Sequence, residues 1–111
     1  MKSVTGEEIE QMSDSFVFIY SRFCGTCHVA RSFLDKIEQV HKEEIFTELN
    51  ASFATNFLQN KKIESVPCLL IIKNGEVKER VYTFYSIGNI YHYLYEYYPA
   101  LFASPSSSAY S

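Results

Sequence analysis

The stretch FVFIYSRFCGTCH, residues 16–28, decides the fold of this chain. It opens with an uninterrupted run of β-branched and aromatic residues, Phe16 to Tyr20, which is typical of a strand buried on both faces of a sheet. Two cysteines, Cys24 and Cys27, follow at the point where a helical pattern begins. The sequence therefore predicts a cysteine pair, able to close a small disulfide ring, at the junction between a buried strand and a helix.

One helix is predicted after this first strand in the chain, and another is predicted before it. After the cysteines, apolar residues recur with a helical period, and we expect this helix to end near His41. Its apolar positions are Val29, Ala30, Phe33, Leu34, Ile37 and Val40. A shorter helix from Thr5 to about Met12 precedes the strand, because Thr5 and Glu8 have the spacing of a capping box.

The rest of the chain predicts three more strands and two more helices. They are a strand over Ile45–Leu49, a helix over Ser52–Gln59, strands over Cys68–Ile72 and Glu76–Tyr82 joined by an Asn74-Gly75 hairpin turn, and a helix from Ser86 to Tyr98 that Pro99 ends. This order predicts an α/β fold with a mixed central sheet of about four strands and helices on both faces.

Length and composition fit one domain with its own core. The chain has 111 residues, of which 47% are hydrophobic. We expect the domain to cover residues 1–98 and a disordered C-terminal tail to cover residues 99–111, because the Ser-rich end has little apolar surface. The three cysteines are an odd number, which argues against a disulfide-stapled secreted protein.

Charge and hydropathy exclude two classes of partner. The formal net charge is −3 and no run of Lys or Arg concentrates positive potential, so we expect no nucleic-acid surface. No stretch approaches the roughly 18 to 20 apolar residues that cross a bilayer, and we expect no membrane partner. The first residues are charged and lack an apolar core of the kind found in secretory signals. The expected location is the cytoplasm.

The positions of the two cysteines predict different roles for them. Cys24 would lie at a helix N-terminus, where free N–H groups and the helix dipole favour a thiolate, the nucleophilic form of the side chain. Gly25 would permit close approach of a substrate backbone. Cys27 would be shielded one turn further along and would act second, by resolving the mixed disulfide that Cys24 forms.

From about Thr5 to Tyr98 the chain resembles the thioredoxin family. The resemblance rests on Phe23 before Cys-Gly-x-Cys, on Val66-Pro67 ahead of an apolar strand, and on Lys73-Asn74-Gly75-Glu76-Val77 at its end. It implies a thioredoxin-like fold and an enzyme, a protein disulfide oxidoreductase that needs no bound cofactor. It also implies disulfide-containing proteins as substrates and a flavin-dependent disulfide reductase as electron donor, with the chain acting as a monomer.

The same resemblance implies how a substrate is held. Pro67 would be cis and would pack beside the cysteine pair, a geometry that X–Pro bonds adopt for specific purposes. The backbone at Val66 would pair with an extended substrate segment. The expected substrate-binding residues are Phe23, Gly25, Thr26, Val66, Pro67 and Thr83, with Ala51 and Phe84 completing the apolar surface.

Four positions depart from the family pattern. Thr26 stands where Pro is usual between the cysteines, Thr83 where a Gly is expected, Phe18 where a buried Asp is expected, and Glu48 where its facing Lys is expected. Because an acid is lost on one strand and another appears on its neighbour, we hypothesise that Glu48 is the proton acceptor for Cys27. In the alternative interpretation the Glu48 side chain reaches solvent.

Several alternative interpretations of the motifs stay open at this point. Cys24 to His28 also match the Cys-x-x-Cys-His pattern of c-type haem attachment, and a zinc site could combine the three cysteines with a histidine. Cys68 is either a third redox thiol or a small buried residue. The tyrosines between positions 91 and 98 either pack with wet hydroxyls or mark a contact surface.

Alternatives remain for function as well. The departures at Phe18, Thr26 and Thr83 keep a specialised redox partner under consideration, either a donor to a peroxidase or an oxidant with isomerase-like activity. A non-catalytic adaptor with this fold would have no use for both cysteines.

Overall fold

The computed structural model describes residues 1–102, and the remainder of the predicted tail lies outside the described residues. In chain order the elements are β1 (Lys2–Ser3), α1 (Gly6–Glu10), β2 (Ser15–Tyr20), α2 (Gly25–His41), β3 (Thr47–Asn50), a 3-10 helix (Ala51–Phe53), α3 (Thr55–Asn60), β4 (Cys68–Lys73), β5 (Glu76–Val81), α4 (Ile87–Tyr97) and α5 (Pro99–Phe102).

The strands form a five-stranded mixed sheet in the order β1-β3-β2-β4-β5. β1, β3 and β2 are parallel, whereas β4 and β5 are antiparallel to their neighbours. The predicted mixed sheet is confirmed, with one strand more than expected. The additional strand, β1, pairs Lys2 with Thr47 and Ser3 with Glu48. The sequence does not predict it, because a strand of two polar residues is too short to show an alternating pattern.

Alternation along the strands divides the core into two clusters of buried side chains. The α2 face contains Phe18, Leu69 and Ile71 of the sheet, packed with Cys27 and Leu34 of α2 and with residues of α4. The opposite face, here called the α1/α3 face, contains Val17, Ile19, Cys68, Leu70 and Ile72, packed with Ile9 of α1 and Phe57 of α3. Helices therefore cover both sides, as the sequence predicts.

Local signals in the sequence set several element boundaries. Thr5 Oγ1 accepts from the Glu8 N–H at 3.1 Å, and the Glu8 carboxylate accepts from the Thr5 N–H at 2.9 Å, which confirms the capping box. Asn74 and Gly75 have φ of 55° and 78°, so the turn between β4 and β5 has the predicted positive φ at both positions. Ser86 caps α4 by accepting from the Asn89 N–H at 3.1 Å.

The C-terminal boundary differs from the prediction. The chain does not leave the domain at Tyr98 but continues as α5, whose Phe102 is 4% exposed. Its ring packs edge-on against Phe16 and His41, with centroid distances of 5.8 and 5.5 Å. A large aromatic ring buried in this way stabilises the short helix. The boundary predicted from the sequence did not take the burial of Phe102 into account.

Candidate active site

Cys24 and Cys27 are joined by a disulfide, with their Cα atoms 5.3 Å apart. The chain leaves β2 at Tyr20 and turns through Ser21, whose carbonyl accepts from the Cys24 N–H at 3.3 Å. Cys24 is the N-cap of α2 and has extended backbone angles, with φ −107° and ψ 107°. The turn thus brings the first cysteine to the start of the helix, and the helix places the second one turn further along.

The two cysteines differ in exposure. Cys24 is half-buried, whereas Cys27 is 4% exposed and belongs to the core cluster of the α2 face. A substrate therefore has access to Cys24 but little access to Cys27. The order of attack that the sequence predicts for the two thiols stays a prediction, and this asymmetry is the structural feature on which a test of it depends.

The electrostatic setting of Cys24 favours an anion. It stands at the N-terminus of a 17-residue helix with no acidic residue in its first turn. The free N–H groups and the dipole of such a helix stabilise a thiolate at the N-cap. Thr26 Oγ1 lies 3.5 Å from Cys24 Sγ, and since a disulfide sulfur has no proton to give, the Thr26 hydroxyl is the donor.

The loop before β4 supplies the predicted Val66-Pro67 pair. The Val66–Pro67 peptide bond is cis, as the family resemblance implies, and Pro67 is buried. Val66 is half-buried and packs against both core clusters. The next residue, Cys68, pairs with Ile19 of β2, so this loop lies at the end of the sheet where β2 leads into Cys24.

The remaining predicted substrate-binding residues are mostly open to solvent. Phe23 is 96% exposed, and Thr83 and Thr26 are exposed as well. A Cβ built on Gly25 would meet no described atom within 4 Å, so there is room for a substrate beside this residue. Ala51 and Phe84 are half-buried, and the Phe84 ring packs edge-on against Phe18.

Two exposed aromatic side chains were missed by the sequence analysis. Phe53 is 86% exposed and falls within the predicted helix over Ser52–Gln59. A 3-10 helix ends at Phe53 and α3 starts afresh at Thr55, so the predicted register does not extend back to it. Tyr85 is 80% exposed in the loop after β5.

Glu48 has partners that the sequence analysis did not name. Its carboxylate forms an ion pair with Arg31 of α2, with Nη1 2.6 Å from Oε1, and it accepts from Ser3 Oγ at 3.2 Å. The side chain is only 15% exposed, which disfavours the interpretation that it reaches solvent freely. The helical spacing between Cys27 and Arg31 was the signal that could have drawn attention to Arg31.

Cys68 lies in a different environment from the cysteine pair. It is 0% exposed and belongs to the core cluster of the α1/α3 face, whereas Cys27 belongs to that of the α2 face. Burial raises the pKa of the Cys68 thiol to about 12, and the smaller opposing effect of Arg80 does not offset it. These properties favour a small buried residue over a third redox thiol.

Comparison with known proteins agrees with this geometry. The family model described as "Thioredoxin" matches residues 4–94. The chain belongs to the thioredoxin family. A relative from Bacillus subtilis (strain 168), "Thioredoxin-like protein YusE", is 34% identical over 111 residues, which cover 98% of this chain and 97% of that protein.

Two further thioredoxins are more distant from this member of the family. "Thioredoxin-2, mitochondrial" of Schizosaccharomyces pombe is 23% identical over 65 residues, which cover 59% of this chain and 49% of that protein. The solution structure of oxidised thioredoxin from Plasmodium falciparum superposes with a TM-score of 0.70 at 18% identity, covering 87% of this chain and 97% of that chain. This likeness shows the shared fold.

The family and the bonded cysteine pair together define the general activity. This thioredoxin-family chain is a thiol–disulfide oxidoreductase, and its disulfide-bonded cysteine pair lies at the N-terminus of α2. Within residues 1–102, no group of three or more His, Cys, Asp or Glu side chains is arranged to hold a metal ion. Across that same part of the chain, no helix combines the length and the apolar character needed to cross a membrane.

Proposed function

We propose that this chain reduces disulfide bonds in other proteins by cycling Cys24 and Cys27 between the dithiol and the disulfide. One observation carries the proposal: in a disulfide-forming pair at a helix N-terminus, Cys24 is half-buried and Cys27 is 4% exposed. The accessible thiolate can attack a substrate. The shielded thiol is close enough to complete the reaction without meeting a second substrate molecule.

The reaction proceeds in two thiol–disulfide exchanges. The Cys24 thiolate attacks one sulfur of the substrate disulfide, forms a mixed disulfide, and releases the other substrate sulfur as a thiolate that takes a proton from water. The Cys27 thiolate then attacks Cys24 Sγ, and the second substrate sulfur leaves with the electron pair of the broken bond. The substrate gains two electrons, which the two cysteines lose when they form the Cys24–Cys27 disulfide.

The residues around the sulfurs would hold an extended substrate segment. Exposed Phe23 and half-buried Val66 offer apolar contacts, and the open space beside Gly25 admits a substrate backbone. Thr26, Pro67 and Thr83 complete the proposed docking surface. Since a Thr side chain at position 83 fills space that a Gly would leave free, it would narrow the groove.

The cycle needs an electron donor to restore the dithiol. We assign this step to a flavin-dependent disulfide reductase, the class of donor that family membership suggests. The proposed setting is the cytoplasm, where thiols are kept reduced, and the proposed working form is a monomer.

A trapping experiment tests the order of attack. In Cys27→Ser the mixed disulfide cannot be resolved, so incubation with a disulfide-containing substrate protein should give a covalent adduct of the two chains, visible by intact mass. The matched variant Cys24→Ser should give none, because Cys27 is buried. A stronger adduct with Cys24→Ser than with Cys27→Ser would contradict the proposed order.

A second candidate function is supported by Thr26. Its hydroxyl lies 3.5 Å from Cys24 Sγ and can donate to the thiolate of the reduced form. A donor that stabilises the reduced form makes the disulfide a stronger oxidant, which would suit an oxidant or isomerase-like role. Thr26→Pro removes the donor, and this candidate requires the variant to have a more negative reduction potential. An unchanged potential would contradict this role for Thr26.

A further inference from the structure

Arg31 lies on the same face of α2 as Cys27, one helical turn further along. Residues four apart are neighbours on a helix surface. Helical side chains also lean toward the N-terminus of their helix, which is the end of α2 that carries Cys27.

Two aromatic rings fix the Arg31 guanidinium at this end of the sheet. Its central carbon lies 4.8 Å from the ring centroid of Tyr20 and 5.2 Å from that of Phe18. Tyr20 is the last residue of β2, the strand that leads into Cys24, and Phe18 is buried in the same cluster as Cys27. The charge is therefore held against the end of β2 that leads into Cys24, and against a ring of the cluster that contains Cys27.

Glu48 holds the guanidinium from the other side. Its ion pair with Arg31 has an N–O distance of 2.6 Å, and the side chains of Arg31 and Glu48 are 31% and 15% exposed. Ser3 Oγ donates to the second carboxylate oxygen at 3.2 Å, which fixes the carboxylate to β1. Two opposite charges are thus fixed between α2 and β3 and are partly shielded from water, where their fields act more strongly than at an open surface.

We propose that Arg31 is a positioning residue that stabilises the Cys27 thiolate during resolution, and that Glu48 moderates its effect. The inference rests on the proposed function, since it concerns the second exchange of that cycle. In this step Cys27 gives its proton to solvent, its thiolate bonds to Cys24 Sγ, and the substrate thiolate leaves. A nearby positive charge favours the thiolate that attacks, and a nearby negative charge disfavours it.

The two partners therefore have opposite predicted effects. Arg31→Gln leaves the Glu48 carboxylate uncompensated and should slow resolution about three- to tenfold. Glu48→Gln leaves the Arg31 charge uncompensated and should speed resolution by a similar factor. The double variant should return close to the wild-type rate, and Arg31→Lys, which keeps the charge, should retain most of that rate.

The rate of the resolving step can be measured with the symmetric disulfide of thionitrobenzoate as the probe substrate. Attack by Cys24 releases one thionitrobenzoate at a rate that depends on probe concentration. Attack by Cys27 then releases the second at a rate that does not. All variants are compared at one pH by stopped-flow absorbance, and their folding is checked by thermal unfolding. The second, concentration-independent phase is the measured quantity.

The outcomes separate the proposal from its competitors. Equal slowing in both single variants would mean that the ion pair only maintains local structure, and it would overturn the proposal. Slowing in Glu48→Gln alone would overturn it in favour of Glu48 as proton acceptor, and unchanged rates in both would overturn it as well. A wild-type protein that releases no second thionitrobenzoate would instead contradict the proposed function itself.

A folding defect would not prevent the test. If Arg31→Gln does not fold, Arg31→Met keeps the apolar stem over Phe18 and Tyr20 while removing the charge. Glu48→Gln also tests the sign independently, because only faster resolution agrees with the proposal.

Discussion

The two faces of the sheet hold cysteine in opposite environments. On the α2 face, Cys27 is bonded to a half-buried Cys24 at the N-terminus of a long helix. On the α1/α3 face, Cys68 is 0% exposed and burial raises its pKa to about 12. The comparison teaches that position decides the chemistry of a thiol. A helix terminus and solvent access favour reaction, and a strand buried between layers prevents it.

The largest expected effect comes from removing one sulfur on each face. Cys24→Ser should reduce disulfide-reductase activity to the rate of uncatalysed exchange, because the attacking thiolate is gone. Cys68→Ala should stay close to wild type. Turnover of a disulfide-containing protein substrate by both variants is the measurement, and a large loss of activity in Cys68→Ala would contradict the assigned difference between the faces.

Both faces should nevertheless contribute to stability. Leu34 on the α2 face and Leu70 on the α1/α3 face are each 0% exposed. Replacing either by Ala should lower the free energy of unfolding by about 2 to 5 kcal/mol, through lost burial and the cavity left behind. Urea unfolding measures the cost. Val29→Ala is the control, since Val29 is 53% exposed and should change stability by about 0.5 kcal/mol or less.

Alkaline pH should lower the contribution that Cys68, on the α1/α3 face, makes to the free energy of unfolding. Its pKa is about 12 in the folded chain against 9.0 as the ordinary value. Its contribution to stability is therefore fully present below pH 9.0 and is lost as pH rises toward 12, at no more than about 1.4 kcal/mol per pH unit.

The difference in stability between wild type and Cys68→Ala isolates this contribution. The subtraction is needed because the pKa values of Tyr97 and Tyr98 are also raised to about 12, the first mainly by its hydrogen bond with Glu79 and the second mainly by burial. Unfolding curves in this alkaline range should show the difference shrinking as pH rises. A constant difference would contradict the raised pKa of Cys68.

The smallest expected effects concern the helix caps of the two faces. Thr5→Ala, at the N-cap of α1 on the α1/α3 face, removes an acceptor from a reciprocal capping box. Ser86→Ala, at the N-cap of α4 on the α2 face, removes a single capping hydrogen bond. Each should cost about 1 kcal/mol in thermal or urea unfolding, with the larger loss at Thr5. A larger loss at Ser86 would contradict this ranking.

Much of the fold and the cysteine pair could be predicted because those signals are local. The apolar run at Phe16–Tyr20, the capping box at Thr5 and the turn at Asn74-Gly75 each depend on neighbours in the chain. The α2 helix shows the limit of such signals. Its period groups Val29 and Val40 with Leu34 on one apolar face. In the structure Val29 and Val40 are 53% and 69% exposed, because the core covers a narrower stripe of the helix than this pattern predicts.

The features that were missed depend on contacts between distant segments. β1 exists because its two residues pair with β3, and α5 because Phe102 packs against Phe16 and His41. The ion pair between Arg31 and Glu48 requires the register that places Glu48 beside Phe18 under α2. Residue type and helical period locate Arg31 on a helix face, but they do not identify its partner on a strand.

The assignment of Cys24 and Cys27 as the redox pair can be tested by a redox titration against glutathione, with free thiols alkylated and counted by intact mass. We expect a single two-thiol transition, in which Cys24 and Cys27 gain and lose label together while Cys68 keeps one state throughout. The absence of any two-thiol transition, or a transition that involves Cys68, would contradict the assignment of the redox pair.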